Sequence, residues 1–536
     1  MHRFNGMPWC NWLAHFMLQK FIMAFEEVQV QILGLNEDDI NKALVKFNER
    51  IGCKIDNLKS KQKNALHDVV NGHDVIAALP TGYGKSLIYE LIPFVLQDTK
   101  VIVVEPLNVI INQQISKLDG MAVQLKELNL CKAITDGHFS YSFIYSHPEN
   151  ILGKPSVNKF FQCRCFEENR VVIVIDEAHC ILEWGDDFRP EYSKLVELRA
   201  VLPEATFLCL SATLSIKGQA DIKNCLSLKD CRIHGEIPVK PNISITVLRR
   251  PASSKDVTLS YRHILDVLFN ELKVKLGATP LTIVYFNSSL NYIGFAYEHA
   301  CRVLGNLVYN GEKNPENARV VMYHASVEYG SEKLRELIFH QISSEDSPLR
   351  IILASSALGM GADFGRVERI VHAGPPKSIE AYIQQVGRTG RTGKQATAIL
   401  FFNNSDVGRP EMNKTMKSFC RNESTCRRKI LNDYFGFMDD TNESENKATL
   451  CCNICNPILN EWYSVLPLTQ ELKSSIRQSL SDYNILNNLE ISPYQIESVI
   501  HNYSRYVETD SFIQDFGLNQ AHAEHLCTII KLSVSL

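Results

Sequence analysis

Val171-Val172-Ile173-Val174-Ile175-Asp176-Glu177-Ala178-His179-Cys180 decides how this chain is read. Five apolar residues without polar alternation predict a strand buried on both faces, as in parallel sheets covered by helices. Its end delivers two carboxylates, Asp176 and Glu177, to the rim of the sheet. An acidic pair there can hold Mg²⁺ and orient a water. Four residues on comes Trp184-Gly185-Asp186-Asp187-Phe188-Arg189-Pro190-Glu191-Tyr192, too polar for a buried strand. Its aromatic and basic side chains are of the kind that stack on bases and hold a phosphate backbone.

Around this run the pattern is α/β. From about Leu58 to Leu248 strand candidates Val75–Ala78, Val101–Val104, Phe143–Tyr145, Val171–Ile175 and Phe207–Leu210 alternate with helix-length stretches. That alternation implies right-handed crossovers and a parallel sheet. From about Arg249 to Asp406 it recurs, with Leu281–Phe286, Val320–Tyr323, Ile351–Ala354, Ile370–His372 and Ala398–Phe402. Two such sheets in tandem suggest lobes facing across a cleft. Residues 1–52 read as a helical extension, with a possible short strand at Val28–Ile32, and the chain after Asn403 loses its strand signal.

Composition sets bounds. The chain has 536 residues, net charge −4, 45% hydrophobic and 22% charged residues. It is too long for one core, and nothing in its global charge signals nucleic acid, so any such binding needs a local groove. No apolar run approaches the length of a membrane span. Sixteen cysteines in so long a chain read mostly as buried free thiols of a reducing compartment.

Pro80-Thr81-Gly82-Tyr83-Gly84-Lys85-Ser86 follows the first strand and precedes a helical run from Leu87. That is the setting of a phosphate-binding loop: glycines let backbone N–H groups turn toward phosphates, Lys85 neutralises them, and the Ser86 hydroxyl ligates Mg²⁺. Leu79 stands where the general pattern has its first glycine. Beside this loop Asp176 reads as a holder of Mg²⁺ and Glu177 as the group that polarises the attacking water. In the second lobe Gln384-Gln385-Val386-Gly387-Arg388-Thr389-Gly390-Arg391, read as a helix, places Gln384, Arg388 and Arg391 on one face. Arginines there would stabilise charge on a transferring phosphoryl group.

Together these segments resemble the RecQ family of superfamily-2 DNA helicases, from about Leu58 to Cys455. Gln62, 23 residues before Lys85, matches the family's adenine-reading glutamine. Thr81–Ser86, Glu105-Pro106-Leu107, Asp176–His179 and Ser211-Ala212-Thr213 match successive family motifs. So do Tyr285–Ser288, Tyr323–Ser326, Ser355–Asp363 and Gln384–Arg391. The resemblance implies two tandem RecA-like parallel-sheet domains plus a small helical zinc-binding subdomain, with boundaries at 53–248, 249–406 and 407–457 and a helical or divergent winged-helix-like tail at 458–536. It implies ATP and Mg²⁺ at Gln62, Thr81, Gly82, Gly84, Lys85, Ser86 and Asp176, with Lys85, Asp176, Glu177, Gln384, Arg388 and Arg391 catalytic. It also implies 3′-to-5′ movement on single-stranded DNA and action on branched or tailed duplexes in repair or recombination. His179, Trp184, Phe188 and Arg189 fall to DNA sensing, with His179 as the link to the ATP site. Two departures bear on DNA affinity: Glu105 replaces a small hydroxyl residue, and Phe364 replaces a basic one.

Cys426, Cys451, Cys452 and Cys455 supply four thiols, a set that closes a tetrahedral Zn²⁺ site. Cys420 is a competing ligand. The pattern resembles the Werner-like branch of the family. An RNA-directed DExH ATPase and a non-enzymatic scaffold for branched DNA remain the rival readings. Nuclear placement follows from the inferred substrate.

Overall fold

The computed structural model describes residues 36–130, 132–133, 139–183, 191–250, 257–287, 290–324, 332–356, 358, 364–437, 451–460, 470–501, 503, 506 and 509–535. They form two compact units, one of residues before 80 with 83–236, the other of 80–82 with those from 237 onward. The reading of Val28–Ile32 lies outside the described residues.

The first unit is built on seven strands: β1 (Val75–Ala78), β2 (Thr99–Val104), β3 (Ala122–Gln124), β4 (Phe143–Ser146), β5 (Arg170–Ile175), β6 (Thr206–Ser211) and β7 (Arg232–Gly235). Their order is β3-β4-β2-β5-β6-β1-β7, and every pairing is parallel. β5 is central, with Ile175 level with Val104 on one side and Cys209 on the other. The apolar runs follow from burial of both faces. Val101, Val103, Val172 and Val174 enter one core cluster, while the oppositely directed Ile102 and Ile173 are equally buried. Asp176 therefore leaves the sheet one strand away from the end of β6 and two from β1.

Helix Glu37–Ile51 packs onto this unit. Asn36 caps it by accepting from the Asp39 amide at 2.9 Å, and Gly52, at φ 72°, ends it. Phe47 is fully buried in the sheet's core cluster, edge-on to Phe94 at 5.4 Å between ring centroids.

The second unit carries β8 (Ile243–Arg249), β9 (Thr282–Tyr285), β10 (Val320–Tyr323), β11 (Ile351–Ala354), β12 (Arg369–His372) and β13 (Ala396–Phe402), in the order β10-β11-β9-β12-β13-β8, again all parallel. This corrects the expected boundary at 248/249. Ile243-Ser244-Ile245-Thr246-Val247 is the edge strand of the second sheet, paired along its length with β13. Beyond residue 460 the described chain is helical: Gln470–Asn487, Pro493–His501, Thr509–Phe516 and Gln520–Ser535 share a core of their own around Ile476, Phe512 and Leu526. No strand lies beyond β13 among the described residues, and none of their helices is long and apolar enough to cross a membrane.

Replacing Phe47 with alanine should leave a cavity in the first unit's core and cost about 3–5 kcal/mol. Chemical denaturation followed by probes in the first unit checks this, and a cost below about 1 kcal/mol would show that the helix is peripheral to that core.

Candidate active site

The chain leaves β1 at Ala78, and the Leu79 amide donates to Ser211 O at 2.9 Å, tying the loop to the end of β6. Gly82 and Gly84 then take φ of 79° and 92°, which side chains resist. A Cβ on Gly84 would also lie 2.8 Å from the Gln62 amide nitrogen. Lys85 folds back so that its Nζ donates to Leu79 O at 3.2 Å. Ser86 opens helix Ser86–Glu90, and a second short helix, Ile92–Val95, carries Pro93 in its first turn.

Gln62 departs from its expected part. Its Nε2 donates to Tyr83 O at 3.1 Å and Gly84 O at 2.9 Å, and its Oε1 accepts from the Lys59 amide at 2.8 Å. The side chain is buried and its donors are used, so it latches the loop to helix Ser60–Val70. Reading adenine requires those bonds to open.

Asp176 follows β5 and accepts from the Glu177 amide at 2.8 Å. Glu177 sits at φ 47°, a left-handed conformation that costs a non-glycine residue strain and re-aims its carboxylate. Burial, with the Glu177 carboxylate beside it, pushes the Asp176 pKa up to about 6, against the pull of Lys85. Glu105 is 1% exposed, and burial drives its pKa well up, helped by the nearby Asp176 and Glu177. Glu105, whose bearing on DNA affinity depended on its facing the DNA, is instead a buried neighbour of the acidic pair. Glu105 Oε1 and Glu177 Oε2 are buried without a hydrogen bond among the described residues. Crowded carboxyls, one buried Glu105 oxygen without a hydrogen bond and an adjacent lysine fit a divalent cation carrying a polyphosphate.

His179 is 4% exposed, its Nδ1 3.3 Å from Glu177 Oε2 and 3.2 Å from Ser211 Oγ. A side chain so buried does not meet DNA, which corrects that assignment. It bridges the β5 and β6 ends instead. Trp184, Phe188 and Arg189 lie outside the described residues.

In the second unit, helix Ile379–Val386 holds Gln384 but stops before the arginines. The expected single helical face is therefore corrected. Gly390, at φ 66°, turns the chain, and a Cβ there would meet Asn242 Nδ2 at 2.9 Å and Ile243 Cγ1 at 3.0 Å. Arg388 and Arg391 nonetheless converge, both over the Phe364 ring. Beside them runs a polar relay that the motif reading missed. His372 Nε2 meets Gln385 Oε1 at 2.9 Å, Gln385 Nε2 donates to Asn287 Oδ1 at 3.1 Å, and Asn287 Nδ2 donates to Gly374 O at 3.1 Å. A histidine closing the apolar run Ile370-Val371 was the available signal.

The four sulfurs of Cys426, Cys451, Cys452 and Cys455 lie within 4.8 Å of one another. Burial pushes the Cys452 thiol up, but backbone N–H groups of Arg427, Cys455 and Ile454 outweigh it and bring it down to about 7. Donors aimed at a sulfur favour the thiolate a metal needs. Cys420 lies apart, buried in the apolar cluster with Met416 and Phe419, its thiol pushed up to about 12 by burial. The competition among the cysteines is thereby resolved.

Comparison with known proteins fits this geometry. The DEAD/DEAH box helicase family matches residues 59–222 and the helicase conserved C-terminal domain residues 281–393. The chain is 29% identical over 421 residues to the ATP-dependent DNA helicase RecQ of Haemophilus influenzae, covering 74% of this chain and 60% of that protein. It is 30% identical to the probable ATP-dependent DNA helicase RecS of Bacillus subtilis, covering 64% of this chain and 63% of that one. For the RecQ-like DNA helicase blm-1 of Caenorhabditis elegans the identity is 28%, covering 79% of this chain and 42% of the relative. The chain thus spans about two fifths to three fifths of the length of these relatives. A crystal structure of the DUF1998 helicase MrfA bound to DNA shares the fold, with TM-score 0.51 and 18% identity over 69% of this chain and 52% of that one.

Two measurements test the site. His372 is neutral when folded, burial holding its pKa down to about 3. The unfolded chain takes up that proton as pH falls through about 6.5, so the folded state loses about 1.4 kcal/mol per pH unit from there down to about 3. The stability advantage of wild type over His372→Gln should shrink by about 2 kcal/mol between pH 7 and pH 5. An unchanged difference would mean that the histidine titrates in the folded state as it does in the unfolded chain. Elemental analysis should find about one zinc per chain, lost in Cys452→Ser, and chelation should lower the thermal midpoint of the second unit.

Proposed function

We propose that this chain, which belongs to the RecQ family of superfamily-2 helicases, is an ATP-dependent DNA helicase that hydrolyses Mg-ATP while moving 3′-to-5′ on single-stranded DNA. The observation that carries the reading is the convergence of Lys85, Asp176 and Glu177 beyond the ends of β1 and β5, with the acidic pair joined to Ser211 of the intervening β6 by His179. Lys85 would bind the β- and γ-phosphates, and Ser86 and Asp176 would hold the Mg²⁺ that arrives with them. That ion supplies charge neutralisation at the transferring phosphoryl group. Glu177, with a buried acceptor oxygen and a strained backbone, would orient the attacking water. Arg388 and Arg391 would add positive charge at the transferring phosphoryl group.

DNA as the substrate is taken from the names of the relatives, and the nucleus as location follows from that substrate. His179 offers the coupling route, since a shift in the segment after Cys180 would move the imidazole against Glu177. Zinc at the cysteine cluster would be structural, because four thiolates leave no open position.

Strand displacement on 3′-tailed, 5′-tailed and blunt duplexes tests the proposal. Displacement should be confined to the 3′-tailed substrate and vanish, with the ATPase, in Lys85→Ala. Hydrolysis stimulated as strongly by single-stranded RNA as by matched DNA would favour the RNA-directed reading. No ATPase above Lys85→Ala in the presence of DNA would leave only a scaffold.

A further inference from the structure

We propose that Phe364 is the positioning residue that presents the Arg388 and Arg391 guanidinium groups as a pair, an inference resting on the hydrolytic reading above. The family resemblance places a basic residue at this position, so phenylalanine appeared only as a loss of DNA affinity. The structure gives it a different neighbourhood. The ring is 1% exposed, and the guanidinium carbons of Arg388 and Arg391 lie 5.0 Å and 5.5 Å from its centroid. Both distances fall inside the range, about 6 Å, where a cation is attracted to the electron-rich face of an aromatic ring.

The need for such a partner follows from charge and burial. Arg388 is only 6% exposed, and two guanidinium groups sharing one ring repel each other where water screens little. Among the described residues Arg388 meets no carboxylate; its guanidinium lies against the Tyr285 hydroxyl, which itself donates to Leu358 O at 3.1 Å. A carboxylate would relieve the repulsion, but it would neutralise the cations and occupy the in-plane N–H groups that bind phosphate oxygens. An aromatic face attracts a guanidinium without doing either. A lysine or arginine at 364 would instead add a third positive charge. Phenylalanine therefore suits a site that holds Arg388 close to a second guanidinium while leaving Arg388 cationic. The contact also explains how Arg388 and Arg391 converge although the helix ends at Val386.

The test is graded ring fluorination in the full chain: phenylalanine at 364 replaced by its mono-, di- and trifluoro analogues. Fluorine drains the negative face while barely changing the ring's size. DNA-stimulated kcat should fall stepwise, to about a tenth of wild type, with KM for ATP within about twofold. Affinity for ADP with aluminium fluoride should fall in parallel, while ADP affinity and the thermal midpoint hold. Phe364→Leu, apolar but without a ring, should match the trifluoro protein. A flat rate and flat analogue affinity across the series in an active enzyme would overturn the inference alone. So would a Phe364→Lys protein that gains single-stranded DNA affinity and keeps its hydrolysis rate. Wild type without DNA-stimulated hydrolysis above Lys85→Ala would remove the hydrolytic reading itself, and this inference with it.

Discussion

Three carboxyl groups forced together under one sheet edge set the terms for the first unit. Glu105 follows β2 and Asp176 and Glu177 follow β5, and those strands are hydrogen-bonded in register up to Val104 and Ile175. Burial and mutual repulsion disfavour the ionised forms, as the raised pKa values of Asp176 and Glu105 record. Lys85 supplies one positive charge against as many as three negative ones. Such an arrangement is stable when the carboxyls keep protons, or when a multivalent cation replaces those protons. The phosphate loop, the strained Glu177 and the His179 bridge are all built around that imbalance.

The second unit carries the opposite excess. Its sheet ends in a neutral relay in which His372, Gln385 and Asn287 are hydrogen-bonded in series. A buried network of this kind is rigid, because opening any one bond leaves a polar group stranded. Next to it both arginines lie over the Phe364 ring, and Arg388 also meets the Tyr285 hydroxyl.

Much of this was legible in the sequence, for a physical reason: elements defined by local pattern show themselves locally. Val171–Ile175 and the other apolar runs had to be strands of a parallel sheet, since no other common element is both short and apolar throughout. The phosphate loop was equally plain, because glycine spacing and a lysine are its whole mechanism. What stayed hidden depended on partners distant in sequence. Gln62 became a latch only because Tyr83 and Gly84 carbonyls lie above it. Glu105 became a buried neighbour of Asp176 through strand register. Ile243–Arg249 was not read as a strand, and its residues fell on the wrong side of the boundary because its pairing with β13 is a contact distant in sequence. Gly387 and Gly390 argued against the helix extended through Arg391, and the continuing hydrophilic pattern concealed the stop.

The cysteine cluster is tied into the second sheet from two sides. Ile245 in β8 accepts from the Asn453 amide at 3.0 Å and donates to Cys451 O at 3.1 Å, so the thiol-bearing turn is stitched to the sheet edge by main-chain bonds. From the other side Arg428, two residues past Cys426, donates to the carbonyls of Val239, Lys240, Pro241 and Ile243. The segment so fixed includes Asn242, whose amide holds Gly390 O at 3.0 Å and Lys394 O at 2.6 Å. Gly390 lies between Arg388 and Arg391. Four thiolates gathered on one ion would immobilise the turn, the turn fixes the strand edge, and the strand edge clamps the backbone that carries both guanidinium groups. The metal's contribution to activity would then be geometric, acting on where the arginines point and not on the phosphate itself.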